Sequence, residues 1–313
     1  MGISNMKKFL LILAMLLSSS YASAREDVPI ITRFEPSTGS YQSLVIWSKE
    51  MNELQSDYNF ILQVVPGAQG ENADNRAIAL SRAGQKVIWF GSSASFTTNK
   101  ILFQNDSWNR EADIVPVLGF SVTSQVMFTN ASRYKTFKEL QDKILKSETT
   151  FYGAFQSGGG AETVRKIFVN HFNIESKIKI IRYKNIGEIT LALANGEIDF
   201  TIQSQGYGSV PGLAPLIVSA RERIDHDLYR DVPTGLELGM KDYVFMGTAF
   251  FGVPKEQHEF SQSILKLMIK LCDNQQIKEL KSKTGQIPNC DSSDVIKKMI
   301  DAEYKTLTNI IGR

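Results

Sequence analysis

The 313-residue chain carries 35 Lys and Arg against 33 Asp and Glu, a formal net charge of +2. That balance gives no global field for nucleic acid or an anionic membrane, so any attraction for an anionic ligand has to be local. Two cysteines and three scattered histidines show no metal-ligand spacing, which argues against a zinc site.

Residues 1–24 read as an export signal and not as fold. Lys7 and Lys8 form its positive segment, residues 9–17 a short apolar run, and Ala22-Ser23-Ala24 the small residues of a cleavage site. The run is shorter than the roughly 20 residues of a membrane-spanning helix. Cleavage after Ala24 predicts a soluble periplasmic protein, with no cysteine following to take a lipid. It leaves 289 of the 313 residues, with thirty-three basic and thirty-three acidic side chains. That length suffices for two domains, each with its own core.

Along the remaining chain, short apolar strands alternate with amphipathic helices, the pattern of α/β units around a parallel sheet. A strand over 28–34 leads to a helix with Leu44, Trp47, Met51 and Leu54 on one face. A strand over 60–65, a helix ending near Gly84 and a strand over 87–90 follow. The second half repeats the unit: a strand over 125–129, a helix marked by Phe137, Leu140 and Ile144, and a strand over 150–154. A helix over 161–172, a strand over 179–183, a helix over 187–195 and a strand over 198–202 come next. Residues 204–212, with three glycines and a proline, read as loop. From Pro254 onward the pattern is almost wholly helical, Pro254 suiting a helix start and Ile264, Leu265, Met268 and Leu271 forming the buried stripe.

Three strand-to-helix turns, over 34–40, 91–95 and 155–161, share small polar or glycine residues. In open α/β sheets ligands bind beyond the carboxyl ends of the strands. Helix N-termini there offer unpaired N–H groups and partial positive charge, and glycines let a ligand approach the backbone. A carboxylate is the ligand such turns would take, although each turn alone is also an ordinary connection. Ser157-Gly158-Gly159-Gly160 lacks the Lys-Ser/Thr of a phosphate loop and the spacing of a dinucleotide fingerprint. His171, His226 and His258 sit beside no obvious nucleophile, and no Gly-x-Ser-x-Gly elbow occurs. Binding without catalysis or cofactor is the expectation. Cys272 and Cys290 are either one disulfide or two free thiols, and an oxidising compartment favours the bridge.

Four fragments, in order, carry a family pattern. FYGAFQSGGGAETVRKIF is similar to YGSAGxGSxxHLAxELF, and RYKNIGEITLALANGEIDF to PYKGxxPAxxDLLGGxVDL. RDVPTGLELGM matches PDVPTxxEAGx, and ADIVPV matches DFxPV. In these fragments the chain resembles the extracytoplasmic receptors of tripartite tricarboxylate transporters, the Bug family. The resemblance implies a periplasmic-binding-protein-like fold of two α/β lobes joined by two crossover strands, with the ligand in the cleft between them. Residues 25–124 plus 247–313 would form lobe 1 and residues 125–246 lobe 2, the C-terminal helices returning to lobe 1.

It further implies that the cleft is lined by Phe34, Ser37, Thr38 and Gly39, by Gly91, Ser92 and Ser93, and by Phe155, Gln156, Ser157, Gly158, Gly159, Gly160 and Ala161. Arg182, Tyr183 and Gln203 complete the expected site, in which hydroxyls and backbone N–H groups outnumber cations. The partners implied are a small carboxylate and membrane transporter subunits, with no nucleic acid and a monomeric receptor. A ligand-sensing domain feeding a signalling partner is the alternative. Departures crowd around the cleft: Arg33 replaces a usual Pro, Ser37 and Thr38 replace paired glycines, and Glu162 stands for His. Arg182 replaces Pro and Gln203 a frequent Asp. Arg33, Arg182 and Lys184 are therefore the candidate charge partners, and the neutral Gln203 makes a dicarboxylate the narrower expectation.

Overall fold

The computed structural model describes residues 25–36, 38–103, 113–147, 149–154, 159–208, 211–283 and 286–311. The expected signal, residues 1–24, lies outside them, as do Ser37, Phe155, Gln156, Ser157 and Gly158. Among the described residues, no helix is long and apolar enough to cross a membrane.

The first lobe opens with β1 (Glu26–Thr32), whose last five residues are buried. Helix α1 (Gly39–Glu53) follows, capped by Thr38, whose hydroxyl accepts from Tyr41 N. Then come β2 (Tyr58–Val64), α2 (Glu71–Arg82), β3 (Ile88–Ser92) and α3 (Thr98–Phe103). β1 pairs in parallel with both β2 and β3. Leu44, Trp47 and Met51 pack as their helical spacing predicts, while Leu54 falls at the C-cap and is exposed. The Trp47 ring meets Phe251 at 4.9 Å, and Phe90 meets Phe120 edge-on at 4.8 Å. Each such pair adds about 0.5–1.5 kcal/mol beyond the area it buries.

β4 (Ile114–Asn130) is one strand of 17 residues where the sequence pattern shows only its second half. Pro116 and Gly119 break the apolar alternation, and the register slips between Pro116 and Leu118 and again between Gly119 and Ser121. A Cβ on Gly119 would lie 2.4 Å from Asn289 Oδ1 and 2.8 Å from Asp291 N, so the bare backbone admits the C-terminal segment here.

The second lobe contains α4 (Phe137–Lys146), β5 (Thr150–Ala154), α5 (Gly159–Phe172), β6 (Ile178–Arg182), α6 (Ile186–Asn195), β7 (Phe200–Ser204) and β8 (Leu213–Val218). β5 pairs in parallel with β6 and β7. Phe137, Leu140 and Ile144 are buried with Tyr152, Phe168 and Phe200. Beside this core, the buried Asp199 accepts from Arg133 Nη2, Lys143 Nζ, Tyr134 Oη and Phe151 N at 2.8–3.0 Å. Burial alone would raise its pKa; the bonds from Lys143 and Phe151, with the Lys143 charge, outweigh that and lower it.

The chain returns through β9 (Met246–Pro254), which the sequence pattern did not show, and ends in α7 (His258–Leu271), α8 (Gln275–Lys283), the two-residue β10 (Ile287–Pro288) and α9 (Ser293–Ile311). Pro254 closes a strand and at the same time caps the short 3₁₀ helix, Lys255–Gln257, that leads into α7. The sheet order β2-β1-β3-β9-β4-β7-β5-β6 has a parallel set at each end and antiparallel pairings at β3-β9, β9-β4 and β4-β7. The sheet is therefore mixed and not simply parallel. β4 pairs with β9 from Ile114 to Ser124 and with β7 from Gln125 to Phe128. At that changeover Ser124 N–H donates to Gln205 Oε1 (2.6 Å) and Gln125 N–H to Ser219 Oγ (2.9 Å), which satisfies both amides where β4 changes partner.

Cys272, capping α7, is bonded to Cys290, with Cα atoms 6.1 Å apart. The last helix does not belong to the first lobe alone. Ile296 and Ile300 pack with Ile31 and Phe250, whereas Leu307 packs with Phe168 and Tyr152 of the second lobe.

Candidate functional site

A cavity of about 170 Å³ lies between the lobes, where β4 changes partner. It is smaller than the ~300–1,000 Å³ of sites for drug-sized molecules, as suits a small solute. Two helices begin on it. Gly39 and Ser40 bring the N-terminus of α1 to the wall, and Gly159, Gly160 and Ala161 that of α5. The first N–H groups of a helix lack intrahelical acceptors and sit at its positive end. Neither Asp nor Glu occupies the first turn of α1. Glu162 does so in α5 but is buried in a bidentate pair with Arg165, at 2.8 and 3.0 Å.

Arg33 supplies a full positive charge. Its Nη1 donates to Gln69 O at 2.6 Å and its Nη2 to Ser92 Oγ at 3.1 Å, and its guanidinium stands 5.4 Å from the Phe34 ring centroid. Burial lowers its pKa while the charge of Asp74 acts the other way. Asp74 is itself buried and accepts from Trp89 Nε1 at 2.7 Å. Because Ser92 Oγ accepts from Arg33, its own proton remains to be donated. A guanidinium, a hydroxyl and two helix N-termini around one small space form an anion-binding arrangement.

The lobes touch beside this wall. Thr98 Oγ1 and Thr163 Oγ1 share a hydrogen bond at 2.9 Å. Asn99, 3% exposed, accepts from Gly159 N at 3.3 Å and donates to Gln69 O at 3.1 Å, the carbonyl that also holds Arg33. One amide side chain thus joins the anchor of the first lobe to the first residue of α5.

Of the residues expected in the site, Phe34, Thr38, Gly39, Ser92, Ser93, Gly159, Gly160, Ala161 and Gln203 line the cavity. Gly91 does not; it lies in β3 with its backbone against the Trp89 ring. Arg182 and Tyr183 do not either. β6 is the outermost strand beyond β7 and β5, which leaves Arg182 exposed and packs Tyr183 beside Ile189 and Ile198. Lys184 is exposed as well. Two expected hydroxyl donors are already engaged: Thr38 Oγ1 donates to Glu35 O at 2.8 Å, and Ser93 Oγ accepts from Thr248 N at 3.2 Å and bonds Glu303. Gln203 Nε2 donates to Thr201 Oγ1 at 3.0 Å.

The wall also holds residues that pattern reading did not single out. Gln125 and Thr123 come from β4, Phe245, Gly247 and Ala249 from the return crossing, Tyr207 from the turn after β7, and Gln286 from the segment before β10. Glu35 joins them from within the first expected turn. A helix terminus is visible in sequence as glycine and a capping hydroxyl, whereas Gln125, Phe245 and Gln286 reach the wall only through tertiary pairing. Behind Ser93, Thr97 Oγ1 lies 2.5 Å from Glu303 Oε1 and 3.0 Å from the Ser93 carbonyl. Burial pushes the Glu303 carboxyl up to about 7, against the lowering effect of bonds from Thr97 and Ser93. Among the described residues, no group of three or more His, Cys, Asp or Glu is placed to hold a metal.

No protein-family model matches the sequence, and no curated protein does. Solved structures do match in fold. MatC from Rhodopseudomonas palustris, solved with bound malate, superposes with a TM-score of 0.80 at 14% identity, covering 92% of this chain and 99% of that one. A second R. palustris protein, solved with adipate, gives 0.76 at 14% identity, with 94% and 99% covered. The periplasmic binding protein BugD gives 0.77 at 13%, with 91% and 96% covered. The fold is that of the periplasmic binding proteins, two α/β lobes with a cavity between them.

Proposed function

We propose that this chain is an extracytoplasmic solute-binding protein that captures a small carboxylate and delivers it to a transporter of the tripartite tricarboxylate type. The observation that carries the proposal is the Arg33 guanidinium, fixed by Gln69 O and Ser92 Oγ on a small cavity onto which the N-termini of α1 and α5 open. The malate and adipate held by two proteins of the same fold support it. In the mechanism, the solute carboxylate meets Arg33 and Ser92 in the open cleft. Closure then brings the N–H groups of α5 onto it, excludes water and strengthens each charge-assisted bond. The closed surface is what the membrane subunits would recognise.

The hinge would lie at Ser124–Gln125 on one crossing and at Phe245–Gly247 on the other, dividing residues 25–124 plus 247–313 from 125–246. The change of partner along β4 supports that division. Periplasmic location after cleavage behind Ala24, and action as a monomeric receptor without chemistry on the ligand, complete the proposal. A thermal-shift screen of mono-, di- and tricarboxylates with matched neutral amides tests it. A bound acid should add roughly 2.7 kcal/mol of stability at a hundredfold excess over its dissociation constant. Equal stabilisation by the amides would overturn the carboxylate reading.

A further inference from the structure

The turn Gly67-Ala68-Gln69-Gly70, between β2 and α2, is held in a conformation that side chains disfavour. Ala68 (φ 44°) and Gln69 (φ 54°) lie in the left-handed region, flanked by Gly67 and Gly70 at φ 102° and 100°. Residues other than glycine stay there only where their surroundings hold them. Two donors converge on the Gln69 carbonyl, Arg33 Nη1 at 2.6 Å and Asn99 Nδ2 at 3.1 Å. Gly70 admits the arginine, since a Cβ there would lie 2.6 Å from Arg33 Cδ. One carbonyl in a strained turn therefore joins the anion anchor to Asn99.

Asn99 is 3% exposed, and its other end crosses the cleft, where Oδ1 accepts from Gly159 N at 3.3 Å at the start of α5. Gly159 offers a donor and Gln69 an acceptor, so only one orientation of the amide satisfies both. Neither Asp nor Leu, of similar size, could do the same. The helix that carries Asn99 spans the division between lobes. α3 follows β3 of the first lobe, yet Ile101 and Leu102 pack against the core of the second, and Thr98 meets Thr163. On the reading of the chain as a receptor that closes around an anion, we propose that Asn99 is a positioning residue that ties the clasp between the lobes to the Arg33 anchor. Its amide is aimed at Gly159 only while Arg33 keeps the Gln69 carbonyl in place. A solute that steadies the guanidinium then steadies the clasp, and by linkage the clasp tightens the hold on the solute. Gly159 N–H is taken by Asn99, which leaves the amides of Gly160 and Ala161 to the solute.

Hydrogen exchange of the Gly159 amide, followed by NMR in the mature, solute-free protein, tests this. Gly153, buried in β5, serves as the reference for a folded second lobe. Asn99→Ala should speed Gly159 exchange roughly fivefold to tenfold, the scale of one hydrogen bond. Arg33→Met removes a donor to Gln69 O without touching α5, and should speed it to a similar degree, with Gly153 unchanged. Arg33→Lys, which keeps a donor, should restore most of the protection. Gln69→Gly adopts the left-handed backbone freely and keeps the carbonyl, so Gly159 should stay at least as protected as in wild type. Ser92→Ala, which frees only Arg33 Nη2, should give a smaller acceleration and decides the matter if Arg33→Met fails to fold. Gly159 exchange unchanged in N99A overturns the clasp. Exchange raised in N99A but unchanged in R33M, or in S92A where that variant must decide, overturns its tie to the anchor. No solute is present, so either failure is distinct from failure of the carboxylate reading, which the thermal-shift screen decides.

Discussion

The two walls of the cavity are built differently. The first lobe presents side chains: Arg33 and Glu35 from the turn that follows β1, and Ser92 from the end of β3. The second presents mostly backbone and rings: Gly159, Gly160 and Ala161 at the start of α5, with Tyr152, Tyr207 and Phe245 around them. A fixed guanidinium distinguishes ligands by sign, whereas helix N–H groups accept any anion that reaches them. The division suggests that solute specificity resides in the first lobe and the extent of closure in the second.

The sharpest way to break this comparison is Arg33→Gln. Losing a charged hydrogen-bond partner costs about 1.5–3 kcal/mol, so affinity for the acid found by the thermal-shift screen should fall at least tenfold in calorimetry, with α5 intact. An unchanged affinity would move selection to the second lobe. Gly160→Ala probes the other wall. The added Cβ would lie 2.5 Å from Phe245 Cε1 and 2.8 Å from Gln125 Nε2, and overpacking of this kind costs about 1–3 kcal/mol. Melting temperature and affinity should both drop, but the ranking of acids over amides should survive. A changed ranking would show that the backbone face also selects.

The smallest effect concerns Glu303. Thr97 has one hydroxyl proton for two acceptors, Glu303 Oε1 and Ser93 O. A protonated Glu303 resolves the conflict by donating to Thr97 Oγ1 while Thr97 donates to Ser93. Its folded pKa, about 7, lies above the ordinary 4.5. The stability it contributes is therefore fully present below pH 4.5 and lost as pH rises through 7. Glu303→Gln keeps a donor at every pH, so its melting temperature relative to wild type should climb between pH 5 and pH 8. A constant difference would place Glu303 outside this linkage.

The sequence made parts of this division legible and hid others. Spacing alone identified the faces of α1 and α4, because Leu44, Trp47 and Met51, or Phe137, Leu140 and Ile144, recur at helical period and are buried. Glycines and capping hydroxyls marked the turns where Gly39 and Gly159 meet the cavity. β4 was seen only in part because Pro116 and Gly119 interrupt its alternation, and those residues are where its register slips. Arg182 was misplaced because nothing local tells an edge strand from a central one; β6 is at the edge only through its pairing. Glu35 stood inside an expected turn, yet only the fold brings it onto the cavity wall together with Tyr207.

The bridge between Cys272 and Cys290 also bears on the cavity. It closes a loop of chain that contains α8 and Gln286, a residue of the wall, and it ends next to Asn289 and Asp291, which dock on Gly119 of β4. Closing a loop of this length restricts the unfolded chain by about 3 kcal/mol in the entropy model. The consequence is a matter of place. The bridge thus adds to the packing of Ile277, the pairing of β10 with β4 and the bond from Gln286 to Ser40 that hold this panel of the wall, and thiols of this kind are bridged only in an oxidising compartment. A complete wall around the cavity therefore depends on oxidation of the chain, and it is found where the two thiols can be bridged.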